Sequence, residues 1–125
     1  MKLEDQVCRF AQGVILKERG VEARPQFYWY EKNNGFQTWI ELTNALSLNH
    51  TQKKAPAYTS SELGVLLSGY QVIKLAFNND WLVIDKYGTS TVHKILSIEL
   101  EVHAKASALI WLIKNDFIDP KKLQL

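Results

Sequence analysis

The sequence predicts an α+β fold: one antiparallel sheet of four to five strands from two hairpins, with helices at the N-terminus, in the middle and at the C-terminus. Three observations predict it. Aromatic and β-branched residues flank Asn34-Gly35, a pair suited to a tight hairpin turn. Thr59 and Glu62 are spaced as a capping box ahead of Leu63, Val65, Leu66 and Leu67. Val102, Ala106, Leu109, Ile110 and Ile113 recur at helical spacing near the C-terminus. The expected order is α-β-β-α-β-β-(β)-α in a single domain spanning residues 1–125.

Residues 3–19 read as an amphipathic helix. Leu3, Val7, Phe10, Ala11, Val14 and Leu16 supply its apolar stripe. Gly13 interrupts it, and Gly20 follows Lys17, Glu18 and Arg19 as a C-terminal stop. Arg24-Pro25 then forces an extended break.

Residues 27–42 form the first hairpin. A two-residue turn at Asn34-Gly35 pairs Tyr30 with Trp39, Trp29 with Ile40, Tyr28 with Glu41 and Phe27 with Leu42. One face carries Phe27, Trp29, Ile40 and Leu42 and should be core. The other carries Tyr28, Tyr30, Lys32, Gln37, Trp39 and Glu41. Residues 43–58, rich in Asn, Lys and Gln and containing Pro56, read as a long loop.

The capped middle helix ends at Gly69. Residues 71–77 and 81–86 read as a second hairpin turning at Asn78-Asn79-Asp80, with two- and three-residue turns both acceptable. Residues 91–95 read as a short fifth strand. Ser97 is the expected N-cap of the last helix, with Glu99 and Glu101 in its first turn, where the helix dipole favours anions. Phe117 and Ile118 should pack after its end. Asn115 is expected in the left-handed conformation, and Pro120 prevents the helix resuming. Trp29, Trp81 and Trp111 are expected in the core.

A chain of 125 residues can bury a sizeable core without a metal or a disulfide. Apolar residues make up 46% and charged residues 22%, which disfavours disorder. A net charge of +2, with Lys53-Lys54 and Lys121-Lys122 as the basic doublets, gives no concentrated basic stripe. The N-terminus lacks an apolar signal core, no apolar run approaches the ~20 residues of a membrane span, and Cys8 is the single cysteine. The expectation is a cytoplasmic protein with no membrane partner.

Catalytic and metal signatures are absent. His50, His93 and His103 have no ligand spacing, and no cofactor is expected. Cys8 has no nearby histidine and reads as an inert, half-buried thiol. Phosphate-binding and nucleophile-elbow glycine patterns are missing. What remains is aromatic. Tyr28, Tyr30 and Trp39, with Lys32 beside them, form a candidate binding face.

Three passages carry a resemblance: Phe27-Tyr-Trp-Tyr30, Pro56-Ala-Tyr-Thr-Ser-Ser-Glu-Leu-Gly64 and Ala104-Lys-Ala-Ser-Ala-Leu-Ile-Trp-Leu-Ile-Lys-Asn115. Together they resemble a loose group of small uncharacterised phage, prophage and mobile-element proteins, many from Bacteroidetes. The resemblance implies an accessory role and no specific activity, so it transfers no functional residues.

The leading expectation is therefore a non-enzymatic protein acting through a protein partner at Tyr28, Tyr30, Lys32 and Trp39, with the loop at 44–54 joining the contact. A single-strand nucleic-acid binder using the same aromatics with Lys32, Lys53 and Lys54 is the alternative. A small hydrolase would need His93 or His103 beside a carboxylate. An edge strand or Trp39 could also build a homodimer.

Overall fold

The computed structural model describes residues 2–47 and 53–125. The α+β class stands, but the single sheet does not. The strands form two three-stranded antiparallel sheets. In the first, β1 (Phe27–Asn33) lies between β2 (Thr38–Asn44) and β3 (Lys53–Ala57). In the second, β5 (Trp81–Ile84) lies between β4 (Gln71–Lys74) and β6 (Thr91–Ile95).

The strand that separates the hairpins is β3, within the stretch expected to be loop. Its sequence, Lys-Lys-Ala-Pro-Ala, is poor in β-formers. It works because it sits at a sheet edge, where a proline without an N–H is tolerated. Pro56 pairs with Tyr28, and the ladder slips by a bulge between Trp29 and Tyr30. The expected loop at 43–58 is therefore broken by a strand. Residues 48–52, including His50, lie outside the described residues.

The first hairpin keeps its predicted faces but not its register. Tyr30 pairs with Glu41, Lys32 with Trp39 and Trp29 with Leu42. Beyond the Asn33–Thr38 pair the tip runs over residues 34–37, with the Asn34 N–H bonded to Gln37 O at 3.2 Å, instead of turning at Asn34-Gly35. Asn34 is the reason: its Oδ1 accepts from the N–H groups of Phe36 and Gln37, both at 2.9 Å. The side chain thereby closes a wider turn. The shift is two residues, an even number, so every side chain stays on the face expected for it.

The N-terminal helix is shorter than expected. A 3-10 turn covers Leu3–Asp5, and the α-helix α1 covers Phe10–Glu18. Between them Val7 bridges Thr59, and the Cys8 N–H bonds Tyr58 O at 2.8 Å. Tertiary pairing thus takes backbone groups that a continuous helix would have used. Gly20 ends α1 at φ +96°, as predicted.

The capping box at the start of α2 (Ser60–Leu66) is present in both directions. Helix α3 covers Glu101–Lys114 and begins later than expected, with Leu100 as N-cap. Ser97 is instead at φ +59°, its N–H bound to Asp80 Oδ1 at 3.0 Å, so it serves the second hairpin. Glu99 accordingly precedes the helix. At the other end Asp116, not Asn115, takes the left-handed conformation. Pro120 opens a 3-10 turn, Pro120–Lys122. The second hairpin turns through residues 75–80, closed by Leu75 N–H to Asp80 O at 2.9 Å.

Helix α1 packs on the first sheet through β3, and on α3. Helix α3 packs on α2 and on β4 and β6. A small core of Val7, Trp29, Ala55 and Ala57, flanked by Phe10, Val14, Phe27, Ile40 and Leu42, lies under the first sheet. The larger core joins Leu16, Tyr58 and the leucines of α2 to Trp81, Val83 and the apolar stripe of α3. Trp29 and Trp81 are buried as expected, whereas Trp111 is half-buried and Phe117 is 44% exposed.

Candidate functional site

Strand alternation puts Tyr28, Tyr30 and Lys32 of β1 on one face with Trp39, Glu41 and Thr43 of β2. This is the face opposite α1. The structure joins three of the four predicted site residues through a fourth group, Glu41. Its Oε2 accepts from the Tyr30 hydroxyl at 2.9 Å and its Oε1 from Trp39 Nε1 at 2.7 Å. Lys32 Nζ lies 3.4 Å from Oε2. These bonds, the Trp39 indole first, hold the Glu41 carboxyl below the usual carboxylate range. The hydrogen bond to Glu41 in turn raises Lys32.

Tyr30 is half-buried and Lys32 is exposed. Trp39 is 37% exposed, and its ring is pinned by the carboxylate. Tyr28 stands apart from this cluster, half-buried, with its hydroxyl pKa raised mainly by burial. Beyond Tyr30, where pairing with β3 ends among the described residues, every residue from 31 to 39 is exposed. At the tip Phe36 is 96% exposed.

Glu41 was hidden by the register. A two-residue turn at Asn34-Gly35 sets it opposite Tyr28, whereas the observed turn brings it opposite Tyr30; Trp39, two residues away on β2, shares its face in either register. The signal that could have found it is Asn34 itself, whose side chain competes with the backbone for turn hydrogen bonds.

Tyr28 has a second setting. It lines a cleft of about 600 Å³ with Lys17, Val21, Arg24 and Pro56. Tyr58 fixes its inner wall by donating to the Ala23 carbonyl. Sequence reading missed this cleft because it depends on β3.

The two described histidines, His93 and His103, differ in environment. His93 stacks on Trp111, with centroids 4.2 Å apart and planes 9° off parallel, and Trp111 stacks in turn on Phe117. His103, in the first turn of α3, is buried, and burial lowers its pKa, with Arg9 adding to this and Val7 and Asp5 opposing it. Its Nε2 has no hydrogen-bond partner among the described residues. Ser107, one turn on, is held by Gln12 at 2.9 Å and not by that imidazole, so no nucleophile–base bond forms there. Cys8 is buried and its thiol is pushed up to about 12, chiefly by burial. Among the described residues no cluster of His, Cys, Asp or Glu could hold a metal, and no helix is long and apolar enough to cross a membrane.

Set against protein-family models, curated proteins and solved structures, the chain matches none of them.

Proposed function

We propose that this chain is a non-enzymatic binding protein whose contact surface is the distal part of the first hairpin. The observation that carries the reading is the pinned Trp39. An aromatic ring is held at the surface by a carboxylate that also fixes Tyr30 and Lys32. A ring that is already ordered loses little freedom on contact, which is how aromatic anchors gain affinity. Phe36 at the tip and Trp39 on the face together offer an apolar contact rimmed by charge. A protein partner suits that surface, and the resemblance to phage and mobile-element proteins makes a host protein the natural candidate.

The nucleic-acid alternative fares less well on the same face. Lys32 is paired with Glu41 and Lys54 with Glu31, so these two cations are matched by carboxylates. A single-strand binder needs uncompensated positive charge along its groove.

The test is photo-crosslinking in extracts of the cells that encode the chain. A benzophenone amino acid replaces Phe36 in one protein and Phe77, which is 99% exposed elsewhere, in another. A discrete adduct is expected at position 36 only, and Trp39→Ala combined with Tyr30→Ala should abolish it. Equal adducts at both positions, or an adduct that survives the double substitution, would sink the reading.

A further inference from the structure

The cleft beside Tyr28 combines fixed walls, a lining that is part apolar and part polar, and two cations. Residues 20–24 leave α1 and form one side, and the Tyr28–Pro56 pair of β1 and β3 forms the other. The first side is held in place. The Val21 N–H bonds Leu16 O at 3.0 Å, Gly20 turns the chain at φ +96°, and Tyr58 donates to Ala23 O. A wall fixed in advance need not be ordered by the ligand. The volume, about 600 Å³, lies within the ~300–1,000 Å³ of small-ligand sites.

The lining chemistry narrows the ligand. The half-buried Tyr28 ring supplies apolar surface, with Val21 and Pro56 buried behind it. Lys17 and Arg24 supply two cations against one carboxylate, Glu22. Lys17 spends one donor on the Lys54 carbonyl at 3.3 Å, which leaves ammonium protons over. Arg24 makes no ion pair among the described residues, and its planar fork matches a carboxylate. A surplus of one positive charge suits a monoanion better than a phosphate group of charge about −1.5 to −2.

We infer that this cleft binds a carboxylate joined to an apolar ring or branched chain, with Arg24 and Lys17 on the anion and the Tyr28 ring on the apolar body. A free organic acid and the last residue of a peptide chain share that chemistry. The inference stands independently of the hairpin surface.

Amide chemical shifts test it, in titrations of the full chain with four probes: phenylacetate, N-acetylphenylalanine, N-acetylphenylalaninamide and inorganic phosphate. Both acids should give saturating shifts centred on residues 20–24, Tyr28 and Ala57. The uncharged amide and phosphate should bind about tenfold more weakly or worse. Arg24→Gln, at an exposed position, should weaken both acids by about tenfold while leaving the rest of the spectrum in place. Lys17→Gln should weaken them by less, because its ammonium is shared. Tighter binding of N-acetylphenylalanine than of phenylacetate assigns the site to a peptide end, and equal or weaker binding assigns it to a free acid. No saturation with either acid, equal binding of the amide, or unchanged binding by both variants would overturn the inference.

Discussion

Glu41 shows what one carboxylate can organise on a solvated sheet. Three donors from three residues converge on its two oxygens, and each strengthens as the carboxylate becomes charged. The consequence is a pH signature. Because the folded-state carboxyl is depressed, its bonds are fully present above the ordinary glutamate range of about 4.3 and are lost as pH falls through the lower folded value. The Trp39 indole N–H resonance should therefore move in acid with a midpoint below that of an unperturbed glutamate. Glu41→Gln should remove the step. A Trp39 resonance that titrates at the ordinary glutamate value would mean the bond does not form in solution.

At the scale of elements, α1 lies close against β3. Gly13 sits in α1 against Ala55 and Pro56, and a β-carbon there would collide with the Pro56 carbonyl oxygen. The glycine that weakens the helix pattern in the sequence is the residue that lets the helix reach the sheet. Gly64 in α2 is its opposite: a β-carbon would meet nothing nearer than Lys105 Nζ at 3.7 Å. Gly13→Ala should destabilise by about 1–3 kcal/mol through overpacking. Gly64→Ala should stabilise by about 0.5–1 kcal/mol by removing backbone freedom from the unfolded chain. Urea unfolding of the two variants measures both. Two changes of the same sign would refute this account of the α1–β3 contact.

On the scale of the whole molecule, Cys8 reports on integrity. It lies in the large core, its N–H pairs with Tyr58, and its thiol faces the Pro56 carbonyl at 3.6 Å. Burial pushes it up to about 12, so at pH 8 almost no thiolate exists. Labelling by a disulfide reagent should be undetectable in the native protein and should rise with urea in step with the loss of tryptophan burial. Rapid labelling without denaturant would show that the Val7–Cys8 segment opens away from Tyr58 and Thr59 on its own.

The local signals were legible in the sequence. The capping box of α2, the stop at Gly20, the two faces of the first hairpin and the apolar stripe of α3 each depend on residues close in the chain. Their physics is short-range: a side chain satisfying a nearby backbone group, or a period matching a helix or strand. Tertiary structure decided the rest. Pairing with distant backbone made a strand of Lys-Lys-Ala-Pro-Ala, which has no strand propensity to announce it. The same long-range pairing cut the N-terminal helix short at Val7 and Cys8. With β3 in place the two hairpins belong to separate sheets and the Arg24 cleft exists. The hairpin faces survived a wrong register because the error was even, but the partner of Tyr30 did not, and so the Glu41 cluster became visible only in the folded chain.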